Sequence, residues 1–198
     1  MGRFVRLGLV LAALAALSGC ASLGVGSTTG NRPAAPAQVL DVLGDDVASA
    51  VVVLDLPDAL EPLPGASIVA FKLTAPGSDI RRVDAQLVPA DAEEAMAALP
   101  PPGADRTYYL FGFSPKDQQK LREAQSWGRG QPAGTVDIGI DLLPALCATE
   151  ALDQASTRFS VLAVVRGTSL VPLMSGVSVA DMVKARNRPL ERCAGHSG

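Results

Sequence analysis

TVDIGIDL, Thr135 to Leu142, is the stretch of this 198-residue sequence that decides its fold class. Apolar side chains at the even-numbered positions alternate with Asp137, Gly139 and Asp141. Successive side chains of a β-strand point to opposite faces of the sheet, so this period of two predicts a strand with one apolar and one wet face. Asp137 and Asp141 would lie roughly 14 Å apart along it, too far for a glycosidase carboxylate pair, and are expected to solubilise the wet face.

Six further stretches rich in β-branched, leucine or aromatic residues predict strands. They are Ala48–Leu56, Ala66–Leu73, Val83–Val88, Thr107–Phe113, Phe159–Arg166 and Ser169–Leu173. Prolines between the first two stretches forbid a continuous helix there. Gly167 and Thr168 separate the last two and suit a type II′ turn, so these two strands are expected to be antiparallel.

One helix is predicted by its cap. Ser114 supplies an N-cap, Pro115 is suited to the first helical position, and Asp117 is an acid at the third. Gly128 and Gly130 are expected to stop the helix, so it should run to about residue 127. Its apolar stripe is narrow, which predicts packing on a sheet.

Two shorter helices are also predicted. Asp91 and Glu94 resemble a capping box for a helix that reaches Leu99, where three prolines follow. Ser178 and Asp181 predict a further short helix near the C-terminus.

About seven strands and few helices predict a mainly β fold. We expect an antiparallel β-sandwich of immunoglobulin-like or transthyretin-like topology with one or two short helices. The alternative is an α+β domain in which the helix after Ser114 covers a single sheet. No repeat of 20 to 50 residues is visible in the sequence, which disfavours a propeller or a solenoid.

The N-terminus carries an export signal. Arg3 and Arg6 precede the apolar run Leu7–Leu17, which is too short to span a bilayer, and Leu17-Ser18-Gly19-Cys20 follows. This segment resembles the bacterial lipoprotein signal, in which the cysteine is lipidated and becomes the first residue of the mature chain. The resemblance implies a diacylglyceryl thioether and an N-acyl chain on Cys20, enough for stable anchoring.

The anchor defines the predicted organisation. Residues 1–19 are the signal peptide, residues 20–40 are the lipidated cysteine and a flexible Ser/Thr/Gly/Pro/Ala tether, and residues 41–195 are a globular domain. The tether reaches roughly 25 Å. In lipoproteins of this class, an aspartate directly after the cysteine favours retention in the inner membrane. Here Ala21 and Ser22 follow the cysteine instead. We therefore expect a protein anchored in the outer membrane and facing the periplasm of a bacterial envelope, with the inner membrane as the alternative.

The charge of the mature chain disfavours nucleic acid as a partner. Removing residues 1–19 leaves 17 − 2 = 15 Lys and Arg against 20 Asp and Glu, a net charge of −5. The bases are scattered and form no stripe, so binding to nucleic acid is not expected.

Cys147 and Cys193 remain when Cys20 is acylated, and an even pair in an exported protein predicts a structural disulfide. The bond would close a loop of 193 − 147 = 46 positions, worth about 4 kcal/mol by chain entropy. A metal site would need more ligands. The one histidine, His196, lies in a Gly/Ser tail, so no metal or cofactor is expected.

The same tail position of His196 disfavours a Ser-His-Asp triad, and the sequence has no nucleophile elbow or Walker loop. We therefore expect a non-catalytic binding, scaffold or assembly accessory that engages an envelope protein partner. The alternative is an envelope hydrolase or a small-ligand-binding protein whose site is not visible in the sequence. Core packing is the expected role of the aromatic cluster Tyr108–Phe113.

Overall fold

A computed structural model describes residues 40–63, 65–77, 80–166 and 170–194. The predicted signal peptide, Cys20 and the tether as far as residue 39 lie outside the described residues. His196 and the predicted turn at Gly167 and Thr168 also lie outside them.

The described residues form ten strands. They are β1 Val51–Pro57, β2 Leu60–Pro62, β3 Ile68–Thr74, β4 Arg81–Pro89, β5 Arg106–Phe113, β6 Asp137–Leu143, β7 Leu146–Ala148, β8 Arg158–Val164, β9 Val171–Ser178 and β10 Glu191–Arg192. Each of the seven predicted strands is present, with its ends shifted by a few residues. The sequence analysis did not predict β2, β7 and β10, which are two or three residues long.

The strands form two sheets. Seven strands follow the order β6-β3-β4-β5-β1-β8-β9, and every neighbouring pair is antiparallel. Three short strands follow the order β10-β7-β2. Leu60 of β2 and Leu146 of β7 belong to the same buried cluster as the inner face of the large sheet. The prediction of a mainly β, antiparallel, sandwich-like fold is confirmed.

Four helical segments accompany the sheets in the described chain. They are a 3₁₀ turn at Val47–Ser49, α1 Glu93–Ala98, α2 Pro115–Arg129 and α3 Val179–Arg186. The Ser114 cap is confirmed, since the amide of Asp117 donates to Ser114 Oγ at 3.2 Å. Ser178 Oγ caps α3 in the same way and accepts from the amide of Asp181 at 3.0 Å.

Two predicted helix boundaries are wrong. The N-cap of α1 is Ala92, with no side-chain cap bond, because the helix starts one residue later than the Asp91–Glu94 box requires. Gly130 is the C-cap of α2, as predicted, but Gly128 does not stop the helix and is buried inside it. A Cβ atom there would lie 2.7 Å from Leu43 Cδ2 and 2.9 Å from Leu73 Cδ2, so this glycine allows close packing.

The core lies between the inner face of the large sheet, the small sheet and α2. Phe71 on β3 and Phe113 on β5 meet edge to face, with ring centroids 6.1 Å apart. Leu121 and Ala124 bury the predicted stripe of α2 against this cluster. Trp127 is only partly buried, and the guanidinium of Arg81 lies 5.6 Å from its ring centroid. The helix α2 therefore packs on the part of the sheet formed by β4 and β5, next to β3.

Candidate binding groove

The strand TVDIGIDL becomes β6, one end of the large sheet. All seven of its residues pair with β3 in unbroken antiparallel register, from Asp137 opposite Thr74 to Leu143 opposite Ile68. Residues directly opposite share a face, so Asp137, Asp141 and Leu143 lie on the outer face with Ile68. Ile68 and Leu143 are 46% and 45% exposed, which makes an apolar patch on that face.

The inner face of β6 is also incompletely covered. Leu142 is buried and Ile140 is half-buried, but Ile138 is 39% exposed. The alternation that predicts the strand is therefore real, while its apolar side enters the core only towards one end.

The opposite edge, β9, is irregular. From Val177 to Met174 the chain of β9 advances by three residues, while the paired part of β8 advances by only two. A second extra residue of β9 follows immediately, between Met174 and Pro172. Gly176 at the first irregularity has φ +60°, a left-handed conformation that favours glycine. Pro172, which lacks an amide hydrogen, lies beyond the second.

An open groove of about 1050 Å³ is lined by both edges. Its walls include the consecutive residues Ile140–Leu143 of β6 and Val171–Met174 of β9, and the end of α3 contributes Ala185 and Arg186. Side chains from both faces of β6 line this space. The groove therefore lies beside the edge of the strand as well as over its outer face. We call it the edge groove.

Charges border the edge groove. Asp141 and Asp84 flank Ala70 on the outer face, and Arg82 Nη2 pairs with Asp84 Oδ1 at 2.8 Å. This pairing raises the pKa of Arg82, first through the hydrogen bond to Asp84, and Asp141 adds a weaker electrostatic effect. Lys72 lies one row away, opposite Gly139. The acids of β6 are thus only partly offset by neighbouring bases.

Two arginines occupy the end of the groove next to the C-terminal end of β6. Arg186 Nη1 donates to the carbonyl oxygen of Pro144 at 3.0 Å, which ties α3 to the residue that follows β6. Arg188 is exposed and also lines the groove. This end of the groove is positive, whereas the exposed side of β6 is negative.

The predicted cysteine pair lies away from the edge groove. Cys147 on β7 and Cys193 just after β10 form a disulfide, with Cα atoms 5.0 Å apart, and both are buried. Glu61 faces Cys147 across the small sheet, and its carboxylate with the two sulfurs is the group of three possible metal ligands that the described residues bring together. The two sulfurs are bonded to each other, so the cysteine pair forms a covalent cross-link between β7 and the segment that follows β10.

Three of the four aromatic side chains of the cluster pack in or against the core as expected, whereas Tyr108 is half-buried and lies outside the core cluster. Phe111 and Phe113 are buried in the core. Burial raises the pKa of Tyr109, and negative charge on Glu61 adds to the effect. Arg106 Nε donates to Asp55 Oδ1 at 2.7 Å and holds the start of β5 to β1.

Sequence reasoning placed Asp137 and Asp141 correctly on a wet strand face but did not identify the groove residues. One usable signal was the adjacent pair Leu142-Leu143, because consecutive apolar residues at the end of an alternating strand place one side chain on the outer face. Arg186 and Arg188 come near β6 only through the fold of α3.

No family model, curated protein or solved structure matches the chain. Within the described ranges, no helix combines the length and the apolar character that crossing a bilayer requires.

Proposed function

We propose that this chain is a lipid-anchored protein of the bacterial cell envelope that acts without catalysis, as a binding, scaffold or assembly component. Cys20 carries the lipid, and the domain faces the periplasm from the outer membrane, with the inner membrane as the alternative location. The domain captures a protein partner in the edge groove. The proposal joins the signal in residues 1–20 to a binding surface in the folded domain.

The edge groove is the observation that carries this proposal. Its volume of about 1050 Å³ is at the upper end of small-molecule sites, and it is open to solvent. Ile68 and Leu143 expose apolar surface in it although both lie on a sheet face that otherwise bears charges. Exposed apolar patches bordered by polar residues are typical of interaction sites.

The start of the described chain supports a partner near the membrane. Leu40, the first described residue, lines the edge groove, so the described domain begins beside this groove. Twenty residues of tether reach roughly 25 Å, so a partner in or on the same membrane lies within range. Anchoring also raises the effective concentration of the domain near such a partner without adding contacts.

Site-specific photo-crosslinking in intact bacteria tests the proposal. A photoreactive residue replaces the half-buried Leu173 in the groove, and the control replaces Met96, which is 47% exposed on α1 and does not line the groove. We expect a discrete protein adduct from position 173 and none from position 96. Cys20→Ser should abolish processing and membrane attachment and weaken the adduct. Equal adducts from both positions, or a Cys20→Ser chain that is still processed and membrane-bound, would contradict the proposal.

A small amphiphile is the second candidate occupant. The apolar walls of the edge groove and the positive end at Arg186 and Arg188 favour an anionic amphiphile. The same crosslinking experiment separates the two functions, because a small-ligand protein would give no protein adduct. Solvent extraction of the purified chain would then release a stoichiometric amphiphile.

A further inference from the structure

We propose that the edge groove receives an extended segment of the partner protein, which adds a strand to β6 and carries basic residues opposite Asp137 and Asp141. This inference rests on the proposed function and specifies how the partner is held. Strand addition joins main-chain hydrogen bonds, which supply affinity, to alternate side-chain contacts, which supply specificity.

The regular backbone of β6 makes it the competent edge. An end strand directs alternate N–H and C=O groups away from its one neighbour, and β6 does so over seven residues without a bulge or a proline. At β9, two irregularities and Pro172 interrupt the edge. A new strand would lie about 4.8 Å from β6. Beside Ile140–Leu143 this space belongs to the edge groove, because residues from both faces of the strand line it, and Asp137–Gly139 continue the same edge beyond the groove.

The side chains of β6 define the sequence that would fit. Ile138, Ile140 and Leu142 offer apolar contacts on the inner face. On the outer face the strand carries two aspartates and no lysine or arginine. Directly opposed unlike charges stabilise an antiparallel pair and like charges destabilise it, so the added strand should alternate apolar residues with basic ones. The exposed Arg188 favours an acidic group at the other end of the added strand.

Charge and composition disfavour two other occupants. A second copy of the chain would bring its own two aspartates and a mature net charge of −5. Pairing of β6 with the β6 strand of that copy would therefore place no basic residue opposite these aspartates. The tether contains Pro33 and Pro36 and one charge, Arg32. The proline-free part of the tether, residues 21–32, holds three glycines and a single base, and glycine inside a strand weakens it, so the tether fits a seven-residue strand opposite two aspartates poorly.

Peptide binding to the purified full-length chain in detergent tests this inference. The probe is a fluorescent peptide, Glu-Val-Lys-Val-Thr-Val-Lys, which pairs antiparallel with β6 so that its two lysines face Asp141 and Asp137 and its glutamate lies near Arg188. The matched peptide Lys-Val-Glu-Val-Thr-Val-Glu reverses the charges. Two N-methylated forms of the first peptide block the amides of one edge or of the other.

We expect the lysine peptide to bind at least about fivefold more tightly than its charge-reversed form, with the difference shrinking as salt rises. N-methylation of one edge should weaken binding more than tenfold, while N-methylation of the other edge should leave it within twofold. Asp141→Lys should invert the peptide preference. Glu123→Lys, an exposed change on α2, should not alter it.

Equal binding of both peptides, or equal loss for both N-methylated forms, would overturn strand addition. If the crosslink at position 173 persists in that case, the proposed function stands and only the binding mode is wrong. A crosslinked adduct of two copies of this chain would overturn the choice of occupant. Loss of both the crosslink and the peptide preference would overturn both proposals.

Discussion

The two edge strands of the large sheet, β6 and β9, differ in how they are protected from pairing with a further strand. β6 is regular and exposes Ile138 and Leu143, with two aspartates as its charged side chains. β9 has two irregularities, a left-handed glycine and Pro172, and it runs directly into α3. Bulges, prolines and charged side chains all protect an edge from pairing, whereas opposed unlike charges stabilise an added strand. We therefore expect β9 to be closed to further pairing and β6 to be selective.

The elements that support the two edges also differ. On the β6 side, α2 packs on β4 and its Gly128 contacts Leu73 of β3. On the β9 side, the chain continues through α3 to β10, where Cys193 is joined to Cys147. Packing by α2 therefore supports the β6 side, whereas a covalent bond holds the segment that follows β9 to β7, and each kind of support predicts its own response to mutation.

Removing the disulfide should have the largest effect. Cys147→Ala with Cys193→Ala frees a loop of 46 positions, and we expect a loss of about 4 kcal/mol in the free energy of unfolding. This value can be checked by urea unfolding of three samples, the oxidised natural chain, the reduced natural chain and the double variant. Hydrogen exchange should accelerate in β10 and α3 more than in β6. Uniform acceleration would contradict the idea that the bond supports one side.

A pair of glycines tests the packing on the β6 side. Gly128→Ala should cost about 1–3 kcal/mol, because its Cβ would lie 2.7 Å from Leu43 Cδ2 in a packed core. Gly139→Ala on β6 is the matched control, since its Cβ would meet Lys72 Cβ at an ordinary 3.8 Å. We expect its stability to stay within about 0.5 kcal/mol of the natural chain. Equal losses in chemical denaturation would show that α2 does not constrain this edge more than β6 itself does.

Local sequence signals predicted the parts of the fold that local forces determine. The alternation in β6 and the caps at Ser114 and Ser178 each follow from a few adjacent residues, and each is present. The strands β2, β7 and β10 are too short to show a period and exist because they pair with one another.

The edge groove was not predictable for a related reason. It requires the strand order, the curl that puts β6 and β9 beside the same space, and the hydrogen bond from Arg186 to Pro144. None of these is visible within one segment. Gly128 gave a misleading signal, because glycine near the end of a helix marks either a stop or a close contact, and only the packed neighbours Leu43 and Leu73 distinguish them.

The cap of α2 gives a pH-dependent test of the same side of the sheet. The hydrogen bond from Lys120 Nζ, at 2.8 Å, is the largest of the effects that hold the pKa of Asp117 below its ordinary value, and Ser114 and the amide of Gln86 add to it. A carboxyl whose pKa is lowered by folding stabilises the protein above its unfolded pKa, and this contribution is lost as the pH falls through the folded pKa. Asp117→Asn should therefore cost about 1 kcal/mol at pH 7.

The cost of Asp117→Asn should begin to shrink as the pH falls below about 4, the ordinary pKa of an aspartate, and should disappear below the lowered folded pKa, where the natural side chain is protonated as well. Urea unfolding at a series of pH values measures this convergence. Glu123→Gln, an exposed change on the same helix, is the control and should show no such trend. A cost that stays constant to pH 2 would assign the effect of Asp117 to packing alone.

The smallest expected effect concerns what closes β9. Pro172 is exposed, so Pro172→Thr should change the free energy of unfolding by less than about 0.5 kcal/mol while returning one amide donor to this edge. If the irregular register is the main barrier, the edge stays closed, because the extra residues in β9 still offset its outward N–H and C=O groups from those of any straight strand. The lysine peptide should then slow hydrogen exchange in β6 and leave β9 unchanged, in the variant as in the natural chain. Peptide-dependent protection of β9 in Pro172→Thr would instead assign the closure to the proline, and the contrast between the two edges would rest on one residue.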